Sequence, residues 1–236
     1  MTIEILLDKT IYNNRLNLMK VKYGTNQKLS PKEANSIVYR MFGDMHVISQ
    51  GHELYKKLFA IKKLNDKGFE AVYIFPVPEN TARERAEKYG LKVCKIEYLS
   101  DISVPNLSNA AGVKLKFTSP TCFKFERYSV PAFDSYVFWS SVLASWYSCK
   151  QHQPLLNASQ LITLIYPVET KIKQINFKLD TDISFYGFVG SVKMLFDNKA
   201  IGDIRLFIYY LLETAAWIGA GKKTAWGMGN VDFQLL

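Results

Sequence analysis

This 236-residue chain is short of the residues from which resident metal sites and disulfide frameworks are built. It has three cysteines and three histidines. Cys94, Cys122 and Cys149 lie far apart, are odd in number, form no C-x-x-C pair and have no histidine at ligand spacing, so neither a zinc site nor a disulfide frame is supported. They read as buried structural thiols. No acidic cluster resembles a two-metal nuclease centre, so any phosphodiester chemistry here is expected to run without a metal, and no cofactor is expected. Also missing are an apolar run of about 18 residues and the basic-then-apolar pattern of a secretory leader, which sets the expectation of a cytoplasmic protein with no membrane partner. Acid is scarce relative to base: twenty-one Asp and Glu against thirty Lys and Arg give a net charge of +9, which fits a polyanionic partner. The hydrophobic fraction of 48% is ample for the core of one large domain or two small ones.

Glycine is concentrated rather than spread. Four of the thirteen glycines fall in Ile218-Gly-Ala-Gly-Lys-Lys-Thr-Ala-Trp-Gly-Met-Gly-Asn230. A P-loop is excluded because Gly221 is followed at once by Lys222, Lys223 and Thr224, with only a dozen residues left after them. A dinucleotide fingerprint is excluded because Thr224 stands where the third glycine belongs and no βαβ unit follows. An apolar helical pattern from Asp203 to Trp217 precedes the loop, and a final strand from Val231 to Leu235 follows it. Two readings remain: a tight turn between packed elements with Lys222 and Lys223 merely solvated, or a loop whose backbone and lysines approach phosphate.

The chain divides into halves of similar element order. In the first, Ile3 to Leu7 reads as a strand, and Ser30-Pro-Lys-Glu33 is a capping box that opens a helix through Tyr39 and Phe42, stopping at Gly43. A short helix-like piece from Glu53 to Lys57 leads into Leu58 to Leu64, read as a strand over a continued helix. Ala71 to Phe75 is a strand, Thr81 to Tyr89 a charged helix closed by Gly90, and Lys92 to Tyr98 a strand. That order, β-α-β-β-α-β, is the ferredoxin-like unit. After a polar linker from Ser100 to Gly112 the pattern restarts. Val113 to Phe117 is a strand, Phe133 to Cys149 a helix rich in aromatics, and Lys171 to Leu179 and Phe185 to Phe196 are strands. Gln151 to Val168 is assigned only a short helix or strand. The expected fold is α+β, two tandem ferredoxin-like (RRM-like) domains over residues 1–108 and 109–236.

The second half carries Leu115-Lys-Phe-Thr-Ser-Pro-Thr121, Val137-Phe-Trp-Ser-Ser-Val-Leu143 with Trp146, Gly187-Phe-Val-Gly-Ser191, and then the glycine-rich loop. This succession resembles the CRISPR-associated endoribonucleases that process precursor CRISPR RNA at its repeats, the sixth Cas family of the RAMP superfamily. The resemblance is specific from about Lys114 to Phe233. It implies two ferredoxin-like domains facing across a basic cleft, with CRISPR repeat RNA, in precursor crRNA, as the partner. A CRISPR effector complex is a further implied partner, and the protein is expected in the prokaryotic cytoplasm as a monomer or homodimer. Gly219, Gly221, Lys222, Lys223, Thr224, Gly227 and Gly229 are then the expected RNA-binding loop.

Metal-free cleavage of RNA by its own 2′-hydroxyl requires a base for that proton, an acid for the leaving 5′-oxygen and a cation for charge on the phosphate. Histidine suits one of the proton steps near neutral pH. His152 sits in a polar loop and His46 follows Gly43-Asp-Met. The resemblance carries the catalytic roles onto Tyr39, His52 and Lys57, although the spacings between them are shorter than the family pattern, which leaves Lys56 and Tyr55 as alternatives. The implied activity is a metal-independent endoribonuclease giving 2′,3′-cyclic phosphate and 5′-hydroxyl ends. The competing expectation is an inactive repeat-RNA-binding protein or a RAMP subunit of an effector complex.

Overall fold

The structure, a computed structural model, describes residues 18–42, 59–74, 77–99, 103–150, 154–178 and 184–236. The first domain runs β1 (Leu18–Gly24), α1 (Pro31–Phe42), β2 (Phe59–Asn65), β3 (Gly68–Tyr73), α2 (Glu79–Glu87) and β4 (Lys92–Leu99). Its strands form an antiparallel sheet in the order β2-β3-β1-β4. The capping box is present: the Ser30 N–H donates to Glu33 Oε2 at 2.7 Å, and the Glu33 N–H donates to Ser30 Oγ at 3.2 Å. It starts α1 so that Ala34, Val38, Met41 and Phe42 fall on one buried stripe.

Leu18–Gly24 is a strand the sequence reading did not pick out. The strand expected at Ile3 to Leu7, the stop at Gly43 and the helix-like piece from Glu53 to Lys57 lie outside the described residues. β1 earns its central position by alternation. Met19, Val21 and Tyr23 point into the first domain's core with Phe59, Ile61, Phe69, Ala71 and Tyr73. On the opposite face Leu18, Ala60 and Val72 belong to the core of the second domain. The first sheet is therefore sandwiched, its back on α1 and α2 and part of its front on the other domain.

The second domain repeats the topology with β5 (Gly112–Thr121), α3 (Ser135–Lys150), β8 (Ile165–Lys178), β9 (Ser184–Phe196), α5 (Asp203–Ile218) and β10 (Val231–Leu235), in the sheet order β10-β5-β9-β8. Between β5 and α3 it adds a small hairpin of β6 (Phe123–Phe125) and β7 (Tyr128–Val130). Between α3 and β8 it adds α4 (Ala158–Leu164), opened by a second capping box between Asn157 and Gln160. The sequence reading left this segment open, and it placed the start of β8 at Lys171 rather than Ile165. The core is aromatic: the ring of Phe117 lies 4.9 Å from that of Phe188 and 6.1 Å from that of Phe138, both edge-on.

The polar linker is bound rather than loose. Arg205 on α5 donates to the carbonyls of Leu107, Ser108 and Ala110 at 3.0–3.1 Å, and the Tyr209 hydroxyl donates to Ser103 at 3.3 Å. Among the described residues no helix is long and apolar enough to cross a membrane.

Candidate nucleic-acid interface

The glycine-rich loop is a closely packed turn. Gly219, Gly221, Gly227 and Gly229 all have positive φ, between 71° and 94°. A Cβ on Gly229 would meet the Ala220 carbonyl oxygen at 2.0 Å, and one on Gly221 would meet that of Cys122 at 2.6 Å. Only glycine fits at such approaches. The sequence pieces that preceded the loop are what hold it. The Gly229 N–H donates to the Pro120 carbonyl at 2.9 Å, the Asn230 N–H to Ser119 Oγ at 2.9 Å, and the Gly221 N–H to Ser141 Oγ at 2.7 Å. Gly187 stands where a Cβ would come within 2.9 Å of the Thr121 carbonyl. Thus Ser-Pro-Thr on β5 and Ser-Ser on α3 converge on one turn, and Gly187 of β9 packs against the β5 segment that holds it.

This geometry divides the expected RNA-binding residues. The N–H groups of Gly219 and Gly227 also donate internally, to the carbonyls of Ala215 and Thr224, so the four glycine amides are engaged within the protein. Thr224 is buried. The lysines carry their charge outward. Lys222 donates to Ser129 Oγ on the β6–β7 hairpin, and its Nζ sits 4.9 Å from the centre of the Phe185 ring. Lys223 is exposed, is itself left-handed at φ 62°, and places its Nζ 4.7 Å from the Trp226 ring. Burial pushes the Cys122 thiol upward, an effect partly offset by the Lys222 charge.

A second cationic feature, not singled out in the sequence, lies on the second sheet. On the second sheet, the face opposite α3 and α5 aligns Gln234, Lys114, Lys193 and Glu169 in one cross-strand row, and Asp232, Lys116, Ser191 and Lys171 in the next. Lys173, opposite Val189, extends the face by one further row. Placing Lys114 opposite Lys193 weakens a sheet, because like charges directly across a ladder repel. The two acids stand at the edges, on β8 and β10. Glu169 is ion-paired with Lys171, whose hydrogen bond and charge lower its pKa, and Lys193 and Lys114 add to that effect. The signal was available as Lys114-x-Lys116 and Lys171-x-Lys173, a period of two, but only the strand register shows that both pairs share one face.

Where the two domains meet, a cleft of about 660 Å³ is lined by Lys20, Lys62, Lys63, Trp217, Trp226 and Asn230 among others. Lys20 is ion-paired with Glu97 and lies 5.1 Å from the Trp217 ring. Hydrogen bonds from Lys20 first, then from Lys95, hold the Glu97 carboxyl down at a pKa of about 2. Tyr39 is exposed on α1. His52 and Lys57, together with Tyr55, Lys56, His46 and His152, lie outside the described residues. Among the described residues no group of His, Cys, Asp and Glu is placed to hold a metal ion.

No curated protein matches this sequence. The family model described as CRISPR-associated endoribonuclease Cas6 matches residues 115–231. Among solved structures, a Cas6 product complex is similar at 17% identity and a TM-score of 0.63, covering 92% of this chain and 98% of that one. A second Cas6 product complex, 14% identical, gives a TM-score of 0.65 over the same shares, and Thermus thermophilus Cas6, also 14% identical, gives 0.56 over 92% and 97%. At these identities the likeness is one of fold, and it spans both ferredoxin-like domains. The family match spans the remaining features: β5, the Ser-Ser of α3, the glycines of β9 and the lysine-bearing turn that they hold together. Residues 115–231 match the Cas6 family of CRISPR-associated endoribonucleases, and the chain as a whole shares the fold of the solved Cas6 structures.

Proposed function

We propose that this protein binds CRISPR repeat RNA and cleaves precursor crRNA without a metal ion, by attack of the 2′-hydroxyl on the adjacent phosphate. The observation that supports the binding half most directly is the run of Lys114, Lys193, Lys116, Lys171 and Lys173 on the free face of the second sheet, with Lys222 and Lys223 on the neighbouring loop. A row of ammonium groups on a rigid sheet suits successive phosphates and carries no base preference of its own. The Cas6 structures solved as product and substrate-mimic complexes support the same ligand class.

In the cleavage step the 2′-oxygen forms a bond to phosphorus while the bond from phosphorus to the 5′-oxygen breaks. One proton leaves the 2′-hydroxyl and one is delivered to the 5′-oxygen, giving a 2′,3′-cyclic phosphate and a 5′-hydroxyl. His52 is the proposed general acid or base, Tyr39 its partner or a phosphate positioner, and Lys57 the cation that offsets charge at the phosphate. The chemistry is then assigned to the first of the two domains, 1–108, and the grip to the second, 109–236. A CRISPR effector complex is the further proposed partner.

Incubation of the protein with its repeat RNA in excess chelator tests the reading. Cleavage is expected to persist there, to fail when the scissile nucleotide lacks its 2′-hydroxyl, and to slow by about a hundredfold or more in His52→Ala with affinity nearly unchanged. Binding without cleavage by the wild-type protein would establish the inactive repeat-binding reading instead.

A further inference from the structure

The glycine-rich loop is tied at both ends to the first domain. At its N-terminal side, Lys62 on β2 is buried and donates from Nζ to the carbonyl of Ala216, in the last turn of α5, at 2.8 Å. At its far side, Asn35 on α1 donates from Nδ2 to the carbonyl of Ala225 at 3.0 Å. Ala225 lies in a 3-10 turn (Thr224–Trp226) that follows Lys223, and it packs against the first domain's core, as do Leu29, Ile37 and Leu64. A Cβ on Gly227 would have Ile61 of β2 as its neighbour at 3.9 Å. The turn that carries the lysines is thus seated on α1 and β2, although its sequence belongs to the other domain.

Asn35 stands one helical turn before Tyr39 on α1, so the two side chains rise from the same stripe of the helix. We infer that Asn35, with Lys62, is a positioning residue: it fixes the register between the helix that carries Tyr39 and the loop that carries the proposed phosphate grip. This rests on the cleavage reading above. The physical argument is one of placement. RNA held by Lys222 and Lys223 would meet Tyr39 on α1 at a distance set by the Asn35 bond, because the glycine amides of the turn between them are already engaged within the protein. A polar bond serves this role better than apolar packing, since a single donor and a single carbonyl define one position along the helix, whereas apolar surfaces tolerate sliding.

The test uses Asn35→Leu, which keeps the shape and removes the donor, and Lys62→Met, which keeps the stem and removes the ammonium. Hydrogen exchange at the amides of Trp226, Gly227 and Met228 is measured first, without RNA, since these amides are bonded within the turn. Each variant should exchange there about tenfold faster or more, with the amides of β10 unchanged. Single-turnover cleavage at saturating protein should then fall by about tenfold while affinity for repeat RNA stays within about twofold, and Asn35→Gln should recover part of the rate. Unchanged exchange would overturn the inference, as would faster exchange with an unchanged cleavage rate. A wild-type protein that does not cut repeat RNA would sink the proposed function, and the exchange result would then decide the coupling by itself.

Discussion

The two domains share one topology and use its free sheet face in opposite ways. In the first domain that face carries Leu18, Ala60 and Val72 into the neighbouring core and sets the ammonium of Lys62 against the end of α5. In the second it is left open and lined with lysines, two of them directly opposed across the ladder. The same four-stranded order therefore yields a docking surface in one half and a cationic surface in the other. What differs is the residue type at alternate positions, not the backbone. Like charges across a strand pair cost stability, so a row of them fits a surface that a polyanion completes better than one selected for the fold alone.

That contrast is sharpest in the glycine-rich loop, where fold and charge sit in adjacent residues. The largest effect is expected from Gly229→Ala, whose new methyl would lie 2.0 Å from the Ala220 carbonyl oxygen at a φ of 71°. The turn must open, and thermal unfolding should show a loss of about 3 kcal/mol or more. Gly227→Ala has only Ile61 nearby and should lose about 1–2 kcal/mol, the cost of the left-handed backbone. Equal losses would show that the turn is not held by the contacts described.

The next effect separates the two sheet faces. Replacing Lys114, Lys116 and Lys193 together with alanine should weaken repeat-RNA binding and flatten the slope of log affinity against log salt by about two units, at about 0.7–0.9 per phosphate contact. Replacing Lys22 and Lys95, exposed on the first sheet, should change the slope by about half a unit or less. Equal slope changes would remove the distinction between the faces.

Arg205→Leu addresses the join between the halves. It leaves the carbonyls of Leu107, Ser108 and Ala110 without their guanidinium donor. Stability should fall by about 2 kcal/mol, and the segment from Ser103 to Ala111 should become sensitive to proteolysis. A protease-resistant linker in that variant would mean that packing alone holds it.

The smallest effect is a titration confined to the first domain. The folded Glu97 pKa of about 2 lies below its value in an unfolded chain, about 4.3, so the stabilisation is present above the unfolded value and is lost as pH falls through the folded one. Between about pH 4 and pH 2 the wild type should lose more stability than Glu97→Gln, by urea unfolding at each pH. At the other extreme, burial raises the Tyr23 and Tyr73 hydroxyls, which share a 2.8 Å hydrogen bond. Stability should therefore decline as pH rises past about 10, where the unfolded tyrosines ionise and the folded pair does not.

Much of this protein was determined locally. The capping box at Ser30, the apolar run that begins at Ala71, the alternation in Val113 to Phe117, the apolar α5 and the last strand follow from short-range sterics and period, so they are legible as sequence. Leu18–Gly24 is hard to read because Lys20 and Lys22 dilute its apolar character; Lys20 is tolerated by its ion pair with Glu97 at the cleft, and Lys22 by its exposure. The segment before β8 was unreadable for a similar reason: its Asn157–Gln160 box was overlooked beside a long strand whose exposed residues, from Tyr166 to Lys171, show no alternation in burial. The net positive charge and the glycine cluster were likewise present in the sequence and pointed to a phosphate-bearing partner. Which role each loop residue takes was a matter for tertiary structure. Glycine amides can face a ligand or a neighbouring protein acceptor with the same φ, and only the approach of the Pro120 carbonyl and the Ser141 hydroxyl decides between them. The pairing of Lys114 with Lys193, and the placing of Lys116 and Lys171 on either side of Ser191, depend in the same way on strand register, because residues far apart in the chain share a row only when the ladder forms.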